Sequence, residues 1–250
     1  MSSPVADPLD FAGKTVLVVG GSSGIGNGIA QLFRDRNARV FVWGTRGAAS
    51  DYTDVAGTDL AGMSYSQVDV SDFTAIDAWS PPFEVLDVLV LTQGAVLYKQ
   101  QEFQPSTFSE VVKVNLNSLL ACSMKFLDAL KQAQGNIIIV SSTAAYHANV
   151  GNPAYNASKA GAVALTRTLG AAWARDGIRV NGIAPGFVAT KMTAVTTDNP
   201  KRLEAIEQRI PIGRIGVPAD MAGVALFLAS PLAAYVIGQT IPVDGGLMHV

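Results

Sequence analysis

Near its N-terminus the chain reads Lys14-Thr15-Val16-Leu17-Val18-Val19 and continues with Gly20-Gly21-Ser22-Ser23-Gly24-Ile25-Gly26. The first part is an apolar run of strand length, and the second is a glycine-rich turn. Ile29, Leu32 and Phe33 continue from Ile25 at helical spacing, so the turn joins a strand to a helix. Such a turn lets a pyrophosphate approach the backbone at a helix N-terminus, where serine hydroxyls can donate to phosphate oxygens. The Gly-x-x-x-Gly-x-Gly spacing is equally compatible with a purely structural strand–helix turn.

The rest of the chain repeats this alternation. Apolar runs of strand length span residues 39–43, 85–91, 136–140 and 179–183, and helical patterns span residues 108–131, 153–175 and 218–229. Short apolar strands alternating with helices predict a parallel sheet covered on both faces, a doubly wound, Rossmann-like α/β fold. Residues 44–63 are rich in Gly, Ala, Ser, Thr and Asp, which predicts a loop or a short helix. No linker or repeat divides the chain, so residues 1–250 are predicted to form a single domain.

Composition and charge exclude several classes of protein. Lys plus Arg number 18 and Asp plus Glu number 20, giving a net charge of −2 without charged blocks, which argues against nucleic-acid and membrane-surface partners. Residues 1–11 carry acids and prolines where a signal peptide needs an apolar stretch. The one cysteine, Cys122, lies among apolar neighbours and predicts a buried structural thiol in a cytoplasmic protein. One cysteine and two histidines offer no metal-ligand cluster, so no metal site is expected.

A second motif indicates the chemistry. It reads Tyr155-Asn156-Ala157-Ser158-Lys159 and follows Ser142. Asn152 and Pro153 form a typical helix start, and in that helix Tyr155 and Lys159 share one face. An ammonium beside a phenol favours the phenolate, which predicts a lowered tyrosine pKa and a general acid/base for a carbonyl oxygen. An exposed helical Tyr–Lys pair would give the same pattern, so the interpretation depends on the surrounding sequence.

With these motifs the chain resembles the short-chain dehydrogenase/reductases, a family of NAD(P)-dependent oxidoreductases. The resemblance extends from Gly13 to Gly246 and includes the run from Asn181 to Thr190. It implies a catalytic tetrad of Asn115, Ser142, Tyr155 and Lys159. In this tetrad Ser142 hydrogen-bonds the substrate oxygen and Tyr155 exchanges a proton with it. Lys159 lowers the tyrosine pKa and holds the nicotinamide ribose, and the Asn115 carbonyl positions a water.

The resemblance also implies the cofactor contacts. Asp69 would hold the adenine amino group, Val70 its ring, and Val188 and Thr190 the nicotinamide carboxamide. The full set of expected contacts is Gly20, Ser22, Ser23, Gly24, Ile25, Gly26, Thr45, Arg46, Asp69, Val70, Gly94, Tyr155, Lys159, Pro185, Gly186, Val188 and Thr190.

Two departures from the family pattern bear on the cofactor. The usual Asn-Asn-Ala-Gly is here Leu91-Thr92-Gln93-Gly94, where Gly94 keeps room for the ribose and the two polar residues are candidates to bridge the sheet. The second strand ends in Gly44-Thr45-Arg46, without the acid that would grip the NAD ribose. A neutral Thr45 and a cationic Arg46 favour NADP(H) over NAD(H), unless Arg46 only points to solvent.

The substrate pocket is expected to be mostly apolar, with walls formed by Val96, Ala144, Tyr146, Asn152, Phe187 and Met192. Such walls favour a hydrophobic ketone or secondary alcohol. Residues 189–208 are predicted to form a mobile lid, because they join a strand end to later helices with few anchors. One alternative is a 3-oxoacyl-(acyl carrier protein) reductase. A more distant one is a nucleotide-sensing or scaffold protein without turnover, although an intact Ser142, Tyr155 and Lys159 argue against it.

The oligomer is expected, from the resemblance, to be a homotetramer built through residues 117–131, 153–175 and 241–250. Apolar residues make up 49% of the chain and charged residues only 15%, which is rich for a monomer and suggests surface covered by sister subunits. Small residues at Ala157, Ala160, Gly161 and Ala164 would permit close helix approach.

Overall fold

The protein is described by a computed structural model covering residues 7–249. Most of the N-terminal stretch that lacks a signal-peptide pattern lies outside these residues, as does Val250, the last residue of the expected interface segment. The predictions for those positions therefore stay predictions.

A single parallel sheet of seven strands forms the centre of the molecule, and it confirms the predicted doubly wound α/β fold. The strand order is β3-β2-β1-β4-β5-β6-β7. The strands are β1 Thr15–Val19, β2 Arg39–Gly44, β3 Ser64–Gln67, β4 Val88–Leu91, β5 Asn136–Val140, β6 Arg179–Pro185 and β7 Thr240–Val243.

Helices cover both faces of this sheet. They are α1 Gly24–Asp35, α2 Phe73–Ala78, α3 Pro105–Val112, α4 Ser118–Lys125, α5 Leu127–Ala133, α6 Pro153–Trp173, α7 Ala194–Thr197, α8 Pro200–Glu207 and α9 Pro218–Ala229. A π turn, Lys113–Asn117, joins α3 to α4.

The core has two layers because alternate residues of each strand point to opposite faces of the sheet. In β1, Val16 and Val18 pack towards α1 and α9, whereas Leu17 and Val19 pack on the other face with residues of α4 and α6. Every residue of β1 is buried, which is why the strand reads as a continuous apolar run.

Two strands were missed by the sequence analysis, and both lie at an edge of the sheet. β3 contains Ser64 and Gln67, and β7 contains Pro242; neither strand has a fully buried residue. A half-exposed edge strand needs no apolar run, so its sequence lacks the signal used to find the others. Residues 44–63 contain the short 3₁₀ helix Ala49–Tyr52 among turns, consistent with the expected loop or short helix.

Within residues 7–249, no helix is long and apolar enough to cross a membrane. In the same range, His, Cys, Asp and Glu side chains do not gather in threes around a possible metal position. Cys122 is fully buried as predicted, and burial raises the pKa of its thiol to about 12.

Candidate active site

A cleft of about 490 Å³ opens at the carboxyl ends of the central strands. It lies where the strand order reverses, between β1 and β4, which is the usual ligand position in a doubly wound sheet. The glycine turn after β1, the loop after β4, the end of β5 and the first turns of α6 all reach this cleft.

The glycine turn is built without room for side chains. Gly20 has a φ of +78°, and a Cβ on Gly26 would lie 2.4 Å from both the Gly20 carbonyl oxygen and the Thr92 Oγ1. The turn therefore packs α1 directly against the ends of β1 and β4. The N-terminus of α1 faces the cleft with no acid in its first turn, so its positive end is free to attract an anion.

Most of the expected cofactor residues line this one cleft. They are Gly20, Ser22, Ser23, Gly24, Ile25, Gly26, Thr45, Asp69, Val70, Gly94, Tyr155, Lys159, Pro185, Gly186, Val188 and Thr190. Gly94 lies beside Lys159, since a Cβ there would be in ordinary contact with the Lys159 Nζ, at 3.5 Å. Gly44 and Gln93 also line the cleft, although the sequence analysis did not include them among the cofactor contacts.

Arg46 is the exception, because it does not line the cleft, and its expected contact with the cofactor stays a prediction. Its guanidinium carbon lies 4.6 Å from the centre of the Tyr52 ring, and its Nη1 donates to the Asp51 carbonyl. The Tyr52 hydroxyl also accepts hydrogen bonds from the Thr45 and Arg46 backbone amides, at 3.1 Å each. A cation–π contact with a nearby aromatic ring, invisible in the local sequence pattern, therefore determines where Arg46 points.

Ser142, Tyr155 and Lys159 meet in the same cleft. Ser142 follows β5, its hydroxyl accepts from the Ala144 amide at 3.1 Å, and it is close enough to the Tyr155 phenol to influence the pKa of that group. The Lys159 Nζ lies 5.7 Å from the centre of the Tyr155 ring and donates to the Val140 carbonyl at 2.9 Å. The Ser141 hydroxyl donates to the Lys159 carbonyl at 2.8 Å and so ties α6 to the end of β5.

The predicted lowering of the tyrosine pKa is wrong for this geometry. Burial raises the pKa of Tyr155, the Ser142 hydroxyl lowers it only in part, and Tyr98 and Glu102 add to the increase. Burial also lowers the pKa of Lys159 to about 8, because the ammonium is almost completely removed from water. The pair therefore holds a protonated phenol, the form needed to give a proton to a carbonyl oxygen.

Asn115 lies outside the cleft lining but supports the loop that forms one wall. It is fully buried in the π turn, and its side chain is hydrogen-bonded to both backbone groups of Ala95, accepting from the amide at 2.7 Å and donating to the carbonyl at 2.9 Å. Its Nδ2 also contacts the Ser158 hydroxyl at 3.1 Å. The side chain thus clamps the loop after β4 to α6.

The unusual Thr92-Gln93 pair does bridge neighbouring elements. Thr92 Oγ1 donates to the Val19 carbonyl of β1 at 2.7 Å, across the point where the strand order reverses. Gln93 Nε2 donates to the Ser118 hydroxyl at the start of α4, at 2.9 Å. Thr92 therefore supplies the sheet-bridging bond expected from amide side chains at this place, whereas Gln93 ties the loop to α4.

Of the expected substrate residues, Met192 lines the cleft, and the assignment of the others to the substrate wall stays a prediction. Asn152 is buried and donates to the Leu97 carbonyl at 2.8 Å, so its amide is engaged in the structure. Phe187 lines a separate cavity of about 240 Å³ beside Ile212 and Asp244. Val96, Ala144 and Tyr146 are absent from the cleft lining.

Comparison with known proteins agrees with this geometry. Residues 19–248 match the family described as enoyl-(acyl carrier protein) reductase. The chain is 39% identical to the 3-oxoacyl-(acyl-carrier-protein) reductase FabG of Chlamydia pneumoniae, covering 96% of this chain and 99% of that protein. The chain belongs to the short-chain dehydrogenase/reductase family. As a member of that family it is an NAD(P)-dependent oxidoreductase acting on a carbonyl or CH–OH group.

Two further relatives show the range of this family. The chain is 35% identical to the 2-dehydro-3-deoxy-D-gluconate 5-dehydrogenase of Bacillus subtilis, with 96% of each protein covered. Among solved structures, the Pseudomonas aeruginosa RhlG/NADP active-site complex superposes with a TM-score of 0.87 at 31% identity. That match covers 97% of this chain and 99% of RhlG.

Proposed function

We propose that this protein is an NADP(H)-dependent reductase of hydrophobic ketones, and equally a dehydrogenase of the corresponding secondary alcohols. The observation that carries the proposal is the presence of Ser142, Tyr155 and Lys159 in one cleft with the glycine turn. A nucleotide-binding turn and a proton donor thus share one cleft, as a hydride-transfer enzyme requires.

The three side chains divide the work on the substrate oxygen. Ser142 donates a hydrogen bond to that oxygen and stabilises the charge that develops on it. Tyr155 gives the oxygen a proton in reduction and takes one back in oxidation. Lys159, charged below its pKa of about 8, binds the cofactor ribose and stabilises the phenolate that forms when Tyr155 gives up its proton. Bound NADP(H) supplies or accepts the hydride.

NADP(H) fits the residues at the end of β2. Thr45 lines the cleft there, and the next acid along the chain, Asp51, is engaged in accepting from the Ala48 amide at 2.9 Å. Asp51 does not line the cleft, so no carboxylate lines it at the end of β2, where a 2′-phosphate would lie, and RhlG, a relative, binds NADP. The backbone turn and Ser22 and Ser23 would hold the pyrophosphate, and Asp69 and Val70 the adenine.

A 3-oxoacyl thioester is the second candidate substrate, and two observations favour it. The relative from Chlamydia pneumoniae is a 3-oxoacyl-(acyl-carrier-protein) reductase, and the exposed Lys191 lines the mouth of the cleft, where an acidic carrier could approach. Against it, the cleft-lining residues of the lid are otherwise Thr190, Met192 and Thr193, which form no basic cluster.

Steady-state assays with the full chain test these alternatives. NADPH and NADH are compared as hydride donors for cyclic, aromatic and aliphatic ketones and for a 3-oxoacyl thioester. We expect NADPH to support the faster reduction and a hydrophobic ketone to have the highest kcat/KM. A strong preference for NADH would contradict the cofactor assignment, and a far higher kcat/KM with the thioester would favour the second candidate. Cofactor binding without turnover of any carbonyl would favour a nucleotide sensor.

We also propose that residues 189–208 act as the substrate lid. Thr190, Lys191, Met192 and Thr193 line the cleft, and the Tyr98 hydroxyl donates to the Met192 carbonyl at 2.8 Å, joining this segment to the loop after β4. Amide hydrogen exchange with and without NADPH should show slower exchange in this segment when the cofactor is bound. Equal exchange rates in both states would contradict a lid.

A homotetramer is proposed from the family resemblance and from one surface of the molecule. An apolar groove lies between α4 and α6, where Leu120 is 43% exposed and Met124 is 53% exposed. Its other walls include Leu116, Gly161, Ala164 and Leu165. Light scattering after gel filtration should give four times the mass of one chain. The cytoplasmic location expected from the single cysteine stays a prediction.

A further inference from the structure

A buried carboxylate lies directly behind the proposed proton donor. Glu102 is in the short 3₁₀ helix Gln101–Phe103 of the loop between β4 and α3. Its relative exposure is 0%, whereas Gln101 and Phe103 on either side are exposed. A buried ionised group needs several hydrogen bonds to be tolerated, so the partners of Glu102 indicate its role.

Both oxygens of Glu102 are engaged by groups that surround Tyr155. Glu102 Oε2 accepts from the Tyr155 backbone amide at 2.8 Å. Glu102 Oε1 accepts from the Leu97 backbone amide at 3.0 Å and from Asn152 Nδ2 at 3.3 Å. Asn152 Nδ2 also donates to the Leu97 carbonyl at 2.8 Å, which closes the network.

This carboxylate replaces the expected helix cap. Asn152 occupies the N-cap position of α6, but its side chain makes no capping hydrogen bond. Tyr155 is the third residue of α6, so its amide is one of the first four that have no partner within the helix. Glu102 supplies that partner from a distant loop, and its negative charge at a helix N-terminus is electrostatically favourable.

We propose that Glu102 is a positioning residue for carbonyl reduction, tying the first turn of α6 to the loop after β4 so that Tyr155 and the opposite wall keep a fixed separation. This inference rests on the proposed function. Gly94 and Ala95 line the cleft three and two residues before Leu97, so the hydrogen bonds of Glu102 connect the backbone of the proton donor to the wall it faces. A displacement of even about 1 Å at a reacting group lowers the rate strongly.

The charge of Glu102 has a second effect. The pKa of Tyr155 is raised chiefly by burial, with the Ser142 hydroxyl acting in the opposite direction and Tyr98 and Glu102 adding to the increase. Lys159 is the cation near the ring. Removing the Glu102 charge should lower the pKa of Tyr155, so the phenol would lose its proton at lower pH. The alkaline fall of kcat for reduction would then move to lower pH.

Two variants separate the effect of the length of the Glu102 side chain from the effect of its charge. Glu102→Gln keeps the length of the side chain but removes its charge and one acceptor. Glu102→Asp keeps the charge but shortens the side chain by one methylene. Glu110→Gln is the matched control, because Glu110 is an exposed glutamate of α3 in the next part of the chain. The measurements are Tm, NADPH Kd, the pH profile of kcat, and hydrogen exchange of the Tyr155 amide.

We expect Glu102→Gln to reduce kcat by about tenfold or more while the NADPH Kd stays within about twofold. The alkaline limb of its pH profile of kcat should move to lower pH by roughly half a pH unit to one pH unit. Glu102→Asp should also lower kcat but leave the limb near its wild-type position, and Glu110→Gln should change neither. The Tyr155 amide should exchange faster in both Glu102 variants.

Two results would overturn the proposal. One is an unchanged exchange rate of the Tyr155 amide in Glu102→Gln, which can be measured even if the wild type reduces no carbonyl tested. The other is a loss of kcat that follows the fall in Tm while the alkaline limb stays in place, because that would show a purely structural role. Absence of wild-type turnover would contradict the proposed function alone, and the exchange data would still decide the role of Glu102.

Discussion

The two halves of the cleft are built differently. The half that we assign to the nucleotide consists of strand ends and a glycine turn packed on the buried sheet. The half that we assign to the substrate consists of the loop after β4 and residues 190–193. Chemically similar residues can be compared: Tyr155 and Lys159 line the cleft near the sheet, Lys191 lines its outer part, and Tyr98 contacts the outer segment through the Met192 carbonyl. Lys159 is 3% exposed and Tyr98 is 40% exposed. The same side chain should therefore matter far more on one side of the cleft than on the other.

The two tyrosines should give the largest contrast. Tyr155→Phe removes the proton donor and should lower kcat by about 10²–10⁴-fold with little change in NADPH affinity. Tyr98→Phe removes one exposed hydrogen bond to the Met192 carbonyl and should cost less than about tenfold. Steady-state kinetics and fluorescence titration with NADPH measure both effects. Substantial activity in Tyr155→Phe would show that another group supplies the proton.

The two lysines should differ in their effect on the pH dependence of the free energy of unfolding. Burial lowers the pKa of Lys159 to about 8, whereas an unfolded lysine titrates near 10.5. Between these pH values the unfolded chain binds more protons, so this lysine makes folding increasingly favourable as pH rises. The free energy of unfolding of the wild type, relative to Lys159→Met, should therefore rise by roughly 3 kcal/mol between pH 8 and 10.5.

Lys191→Met is the control, because Lys191 is exposed on the lid. Its urea-unfolding curves should keep a constant offset from the wild type over the same pH range. Parallel pH dependences for the wild type and Lys159→Met would show that the buried ammonium keeps an ordinary pKa.

Glycines in the two halves should differ more modestly. A Cβ on Gly26 would lie 2.4 Å from the Gly20 carbonyl and Thr92 Oγ1, so Gly26→Ala should lower the free energy of unfolding by about 1–3 kcal/mol and weaken NADPH binding. A Cβ on Gly151, in the outer loop before α6, would meet nothing within 4 Å. Gly151→Ala should leave stability and NADPH affinity close to wild type. Equal effects of the two substitutions in denaturant unfolding would remove the distinction between a packed half and an open half.

The smallest contrast lies within the substrate wall itself. Met192 lines the cleft, whereas Phe187 lines the neighbouring cavity. Met192→Ala should raise the KM for a hydrophobic ketone several-fold by removing apolar contact, on the order of 1–2 kcal/mol. Phe187→Ala should leave that KM within about twofold, although it should lower Tm. A larger KM effect from Phe187→Ala would mean that the original prediction for this residue was right.

These contrasts also explain what the sequence could predict. The strand–glycine–helix transition at Gly20 and the four-residue spacing of Tyr155 and Lys159 are local in the chain, so periodicity and turn chemistry locate them in the fold. The directions of Asn152 and Phe187 depend instead on partners distant in the sequence. That of Arg46 depends on a side-chain contact with Tyr52, which lies near in the sequence but gives no periodic pattern. The burial of Glu102 could not be predicted, because the sequence around an acid in a polar loop is the same whether that acid is buried or solvated.

Because the π turn Lys113–Asn117 contains more residues per turn than the α-helices it joins, it sets the rotational phase of α4 relative to α3. Deleting one residue there would rotate α4 by about 100° about its axis. Asn115 would lose its register with Ala95, and Leu120 and Met124 would leave the apolar groove at the same time. Deletion of a single codon in this turn would therefore disrupt both the wall of the cleft and the apolar groove between α4 and α6.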